Sequence, residues 1–189
     1  MLGFGASVAH DSRWESSKMG QEAIRQAFER SEKALTLRPS IGRGTAKTTV
    51  RLSDGLACVA EDGRWELTID MSEKSGGGSA APDPGVFGRS ALGSCLAIGY
   101  ARWAARRGIP LSDIEVEVRT DYDAAAEYGI GDCPPGYTQV RYVVRIETEA
   151  AEEDVVRLLD EADSHSPWLD VFERPIEVRR EVEIRRGDP

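Results

Sequence analysis

A chain of 189 residues, 40% hydrophobic and 30% charged, holds enough apolar material for one folded domain with some residues to spare, which excludes a disordered chain. Its 24 Lys and Arg against 33 Asp and Glu leave a formal charge of −9, which opposes phosphate backbones and anionic lipid, so neither nucleic acid nor a membrane is an expected partner. No run of about 18 apolar residues is present to span a bilayer. Met1 to Trp14 lacks a basic segment followed by an apolar one, so a cytoplasmic location is expected.

Residues 1–17 carry Gly, Ser and Asp without a sustained period and read as a mobile arm. From Met19 to Leu37, Ala23, Ile24, Ala27, Phe28, Ser31, Ala34 and Leu35 recur at the spacing of one helix face, and Pro39 ends the pattern. Three short strands follow, Thr48 to Leu52, Leu56 to Ala60 and Trp65 to Asp70. They are separated by Ser53-Asp54-Gly55 and Glu61-Asp62-Gly63, and Asp-Gly is a strong hairpin signal, so an antiparallel meander is expected. The run Ser75-Gly76-Gly77-Gly78-Ser79 lacks the Gly-Lys-Ser/Thr ending of a phosphate loop and reads as a flexible linker.

Asp83-Pro84 is an N-cap followed by proline at the first helical position. The helix it opens runs to Arg107, where Gly108 supplies a C-terminal stop and Arg106 and Arg107 complement the helix dipole. Between Ala91 and Ala104 it is apolar almost all round, so it needs cover on more than one side. Ile114, Val116 and Val118, and later Val140, Tyr142, Val144 and Ile146, alternate with charged residues as half-buried strands that pair across the loop Asp121 to Gly136. Glu152 to Ala162 forms a further helix with Val155, Val156, Leu158 and Leu159 inward, and Ile176, Val178, Val182 and Ile184 keep the parity of a terminal strand. The order implies an α+β fold with antiparallel sheets, divided into an N-terminal arm and helix over 1–45 and one domain over 46–189.

Cys58, Cys95 and Cys133 are odd in number and widely spaced, which suits free thiols in a reducing compartment. His10 and His165 lie at opposite ends of the chain without a CxxC or HExxH motif, so no metal and no cofactor are expected. Cys95 sits mid-helix, away from the dipole's N-terminal end, and becomes a thiolate only with a cation nearby. Otherwise it is a buried, inert thiol, the commoner fate of a free cysteine.

The stretch Ala81-Pro82-Asp83-Pro84-Gly85-Val86-Phe87-Gly88-Arg89-Ser90-Ala91-Leu92-Gly93-Ser94-Cys95 resembles the first signature of the OsmC/Ohr family, a Pro-led helix of small and apolar residues bearing a cysteine. The family's second signature is Ala, three residues, then Cys-Pro, and Ala162-Asp163-Ser164-His165-Ser166-Pro167 occupies that register with serine for cysteine. The resemblance covers residues 46–185. It implies an intertwined homodimer with the two long helices central, an extra N-terminal helix being this chain's own addition. It also implies a thiol that attacks organic hydroperoxides in oxidative or osmotic stress and an arginine from the first hairpin that stabilises the thiolate, held by a glutamate before the cysteine helix.

On that resemblance the expected catalytic residues are Cys95 and Arg51, with Ser166 and His165 at the second motif. Gly85 stands where the peroxidases have their glutamate, Glu73 being the nearest carboxylate upstream, and Ser166 cannot close a resolving disulfide. Cys58 and Cys133 are not placed to resolve either. Two functions follow. One is a single-thiol hydroperoxide reductase served by an external thiol reductant. The other is a non-catalytic relative that binds a small hydrophobic ligand at the dimer interface, with Cys95 as packing.

Overall fold

The longest element of the computed structural model, which describes residues 20–186, is the helix α2 (Pro84–Arg107). Its ends form as the sequence dictates. The Asp83 carboxylate accepts the Val86 N–H at 3.0 Å, and Gly108, at φ 68°, turns its own N–H back to the carbonyls of Ala104 and Ala105. The expected mobile arm over 1–17 lies outside the described residues.

One face of α2, Leu92, Leu96, Tyr100 and Ala104, is buried. It rests on the hairpin of β4 (Asp113–Tyr122) and β5 (Tyr137–Glu147) and on the helices α4 (Glu152–Asp163) and α5 (Pro167–Glu173). The register Ile114↔Ile146, Val116↔Val144 and Val118↔Tyr142 places the apolar residues of both strands on the helix side. The alternate residues are mostly charged, and Arg145 bridges Glu115 and Glu117 on the outer face. The helix α1 (Gln21–Leu37) leans on the C-terminal half of α2, with Phe28 edge-on to Trp103 at 5.3 Å and Glu32 paired to Arg106 at 2.6 Å. The helix α2 is thus covered on more than one side, as expected, while the stripe Ser90, Ser94, Ile98 and Arg102 stays exposed.

The meander is present as β1 (Thr49–Asp54), β2 (Ala57–Asp62) and β3 (Trp65–Ile69), its turns at Gly55 and Gly63 both with positive φ. The rows Val50↔Ala60↔Leu67 and Leu52↔Cys58↔Ile69 make one face apolar, and Val50, Leu52 and Leu67 are exposed because the sheet packs little on its own subunit.

Five expectations are corrected. The glycine run is a clamped loop, not a flexible linker. Asp70, 2% exposed, accepts the N–H of Met71 at 2.7 Å and those of Gly78 and Ala80 at 3.0 Å, and a Cβ on Gly77 would come 2.1 Å from the Met71 carbonyl oxygen. The segment 174–186 forms no strand: it joins neither the β1-β2-β3 sheet nor the β4-β5 pair, and alternation alone, without a ladder of hydrogen bonds, does not make one. The helix α5 takes the place of part of the expected terminal loop, and Val156 on α4 points outward at 49% exposure. The long loop after β4 carries a one-turn helix, α3 (Ala124–Glu127). Among the described residues no helix is long and apolar enough to cross a membrane.

The clamp makes two tests. Gly77→Ala should cost on the order of 2 kcal/mol or more, read as a fall in Tm. Gly136→Ala, whose Cβ meets open space, should be near neutral. The N–H groups of Ala80, Met71 and Gly78 outweigh burial and hold the Asp70 carboxyl below its ordinary 3.8. Its contribution to stability is therefore full above that pH and lost as pH falls through the lowered value, so Asp70→Asn should flatten the acid limb of Tm against pH.

Candidate functional site

Cys95, half-buried at the start of the fourth turn of α2, faces the junction of α4 and α5. Ser166 occupies that junction. Its backbone precedes Pro167 at the first position of α5, and its side chain, 7% exposed, caps the helix by accepting the Leu169 N–H at 3.4 Å. The Ser166 Oγ stands 3.5 Å from the Cys95 Sγ. With the oxygen engaged by Leu169, the hydroxyl proton is free to point at sulfur, an arrangement that suits a thiolate.

One carboxylate fixes the junction. Asp163, at the end of α4, accepts the hydroxyl of Tyr100 on α2 at 2.7 Å and that of Tyr142 on β5 at 2.8 Å, so three elements are tied three residues before Ser166. Burial, then the neighbouring Asp163 carboxylate, raises both phenols: Tyr100 well above its ordinary range, Tyr142 to about 12. Sequence reasoning passed over this triad. Its signal was a tyrosine at the core spacing of an apolar helix, whose hydroxyl must find a partner when buried.

His165 turns away from the thiol. Its ring lies 4.9 Å from that of Trp103, and its Nδ1 reaches the Glu161 carbonyl oxygen at 2.8 Å, a contact that requires the proton on Nδ1. Glu161 is itself held by Arg107, so His165 fastens α4 to α2. Arg51 is not brought to Cys95 within a subunit. The alternation that turns Val50 and Leu52 to the apolar face of the meander turns Arg51 to the other, where its 63% exposed side chain pairs with Glu61 at 2.7 Å. Cys58 lies on the apolar face of the meander, Cys133 is exposed in its loop, and Glu73 is exposed in a turn beside the Asp70 clamp.

Gly85 has taken on a different neighbour. A Cβ there would meet the Nη1 of Arg89 at 3.2 Å and the Oδ1 of Asp83 at 3.0 Å, so the guanidinium one turn along the helix lies over the glycine. Arg89 also escaped the sequence reading, although a cation inside an apolar helix was its signal.

A family model described as OsmC-like protein matches residues 76–181. Among solved structures the chain is similar to an OsmC-like protein from Mycoplasma pneumoniae, with a TM-score of 0.60 and 14% identity over 69% of this chain and 88% of that one. It is also similar to an organic hydroperoxide resistance protein OsmC from Legionella pneumophila, at 0.50 and 14% over 69% and 90%. An OsmC-like protein of unknown function from Vibrio cholerae O1 biovar eltor gives 0.55 and 11% over 69% and 95%. At these identities the likeness is one of fold. No curated protein sequence matches the chain.

Asp163→Ala strands two tyrosine hydroxyls and should cost on the order of 2 to 4 kcal/mol by denaturant unfolding. Because Tyr142 titrates at about 12 rather than 10, the stability it contributes is full below pH 10 and is lost as pH rises through 12. Tyr142→Phe should therefore weaken the fall of Tm across that window, and a wild-type Tm unchanged there would contradict the arrangement.

Proposed function

This chain belongs to the OsmC-like protein family, and from that premise we propose that it is a cytoplasmic stress-response reductase of organic hydroperoxides that works through the single thiol Cys95. The observation that carries the reading is the 3.5 Å approach of Cys95 Sγ to Ser166 Oγ, which joins the family's two signature positions although one has lost its thiol. The hydroperoxide resistance named for the Legionella pneumophila structure supports it.

The Cys95 thiol gives up its proton, and the thiolate attacks the terminal oxygen of the hydroperoxide. The O–O bond breaks, the alkoxide takes up a proton and leaves as the alcohol, and sulfur is left as the sulfenic acid. Ser166 donates to the thiolate and holds it in line, but has no sulfur with which to displace the hydroxyl. An external thiol therefore condenses with the sulfenic acid, releasing water and forming a mixed disulfide. A second equivalent restores Cys95 and leaves as the small disulfide. Arg51, engaged with Glu61 on the polar face of its hairpin, takes no part within a subunit.

The working unit is a homodimer in this reading. The exposed stripe of α2 around Ile98, at 60% exposure, and the apolar face of the meander with Leu52, at 68%, are the faces a second copy would cover. The second function, a non-catalytic binder of a small hydrophobic ligand, is favoured by one observation: among the described residues no cation bonds the Cys95 sulfur.

Two measurements separate them. With a monothiol reductant, the purified protein should consume cumene hydroperoxide and the Cys95→Ser variant should not; no thiol-dependent consumption by the wild type rejects the reductase. The 3.5 Å spacing also predicts that the Ser166→Cys variant, exposed to one equivalent of peroxide, closes a disulfide between Cys95 and the introduced thiol, seen as a loss of two mass units and of both free thiols. Sedimentation velocity should find a dimer, and a monomer would remove the interface from the reading.

A further inference from the structure

Among the described residues three arginines are half-buried, Arg25, Arg89 and Arg106. Arg25 pairs with Glu22 and Glu29, and Arg106 with Glu32. Arg89 has no carboxylate within bonding distance among the described residues. A partly desolvated guanidinium that no carboxylate bonds directly recovers only part of the hydration it loses, a cost that a directly bonded anionic ligand would reduce.

The surroundings of Arg89 are a cleft of about 480 Å³ between the start of α2 and the far end of the β4–β5 hairpin. Met71, Tyr122, Pro135 and Tyr137 wall it with apolar and aromatic surface. Tyr122 and Tyr137 are cross-strand partners, and Tyr137 is steadied by its hydroxyl, which donates to the Gly85 carbonyl at 3.4 Å, and by stacking on Phe172 at 6.4 Å. Gly85 keeps the floor open, since its missing side chain leaves the guanidinium uncovered. Two carboxylates face the same space. Asp83 is engaged in capping Val86, and Glu127 is exposed on α3.

We propose that this cleft binds a small organic monocarboxylate, with Arg89 forming a bidentate pair to the carboxylate and the Tyr122–Tyr137 wall holding its apolar or aromatic body. Charge selects the class. A planar monoanion matches the guanidinium fork, whereas a phosphate dianion meets Asp83 and Glu127 with twice the repulsion. The walls add affinity that an inorganic ion cannot use. The cleft is distinct from the thiol: Arg89 precedes Cys95 by six positions, about 9 Å along the helix axis, and binding does not depend on the hydroperoxide reading.

Calorimetric titration of the full chain with phenylacetate, phenylacetamide and inorganic phosphate tests it. Phenylacetate should bind, and the neutral amide and phosphate should bind about tenfold more weakly or not at all. Arg89→Gln should lose about tenfold or more of the phenylacetate affinity and Arg89→Lys less, because lysine keeps charge without the fork. Gly85→Glu offers a second arm that leaves Arg89 in place: its carboxylate, built beside the guanidinium, should fill the site from within and abolish binding. Cys95→Ser should bind as the wild type does, whether or not it is inactive on hydroperoxides. Equal affinity for acid and amide, phosphate binding as tight as phenylacetate, or an Arg89→Gln or Gly85→Glu protein that binds undiminished would overturn the proposal.

Discussion

The structure turns on a carboxylate held by two phenols. Asp163 sits where α4 ends, and its two oxygens take hydroxyls from the central helix and from the inner face of β5. A helix terminus is otherwise a place where chains fray, and here it is tied from two directions in a setting dry enough to raise both tyrosines. That tie places Ser166 beside Cys95. It sets the start of α5, the cap of α5 sets the Ser166 hydroxyl, and that hydroxyl meets the sulfur. His165 adds a second fastening through Trp103, onto which α1 also packs.

The local grammar of the chain was legible. Asp83-Pro84 and Gly108 bound α2, Asp-Gly pairs placed the meander turns, and alternation gave β4 and β5. Ser166-Pro167 has the same form as Asp83-Pro84 and opens a helix in the same way, but a seven-residue helix carries too little periodicity to be noticed beside a motif. The side of the sheet that Arg51 occupies was also in the pattern, since it alternates with Val50 and Leu52. What could not be read was long-range. Asp70 gathers three N–H groups from a glycine run that local composition describes as a linker, and Asp163 meets Tyr100 across 63 positions. A strand over 176–184 has the right parity, yet parity without a paired partner does not make a strand, and the segment joins neither sheet.

The departures from the family's signatures are mutually consistent. Glycine stands at 85 where the resemblance calls for a glutamate, with the Arg89 guanidinium beside it, and serine stands at 166 where it calls for a cysteine, within 3.5 Å of the Cys95 sulfur. The fold keeps the thiol beside the second motif position and leaves a cleft at the start of α2; under the proposed chemistry, oxidation of Cys95 is reversed by a thiol from outside the chain.

The central claim is that Cys95 is a reacting sulfur. Intact mass after one equivalent of cumene hydroperoxide, with dimedone present to trap sulfenic acid, reads it directly. A single adduct mapped to Cys95, with Cys58 and Cys133 unmodified, is the result the account predicts. Adduct on the exposed Cys133 alone, with Cys95 still reduced, would contradict it and leave Cys95 as packing.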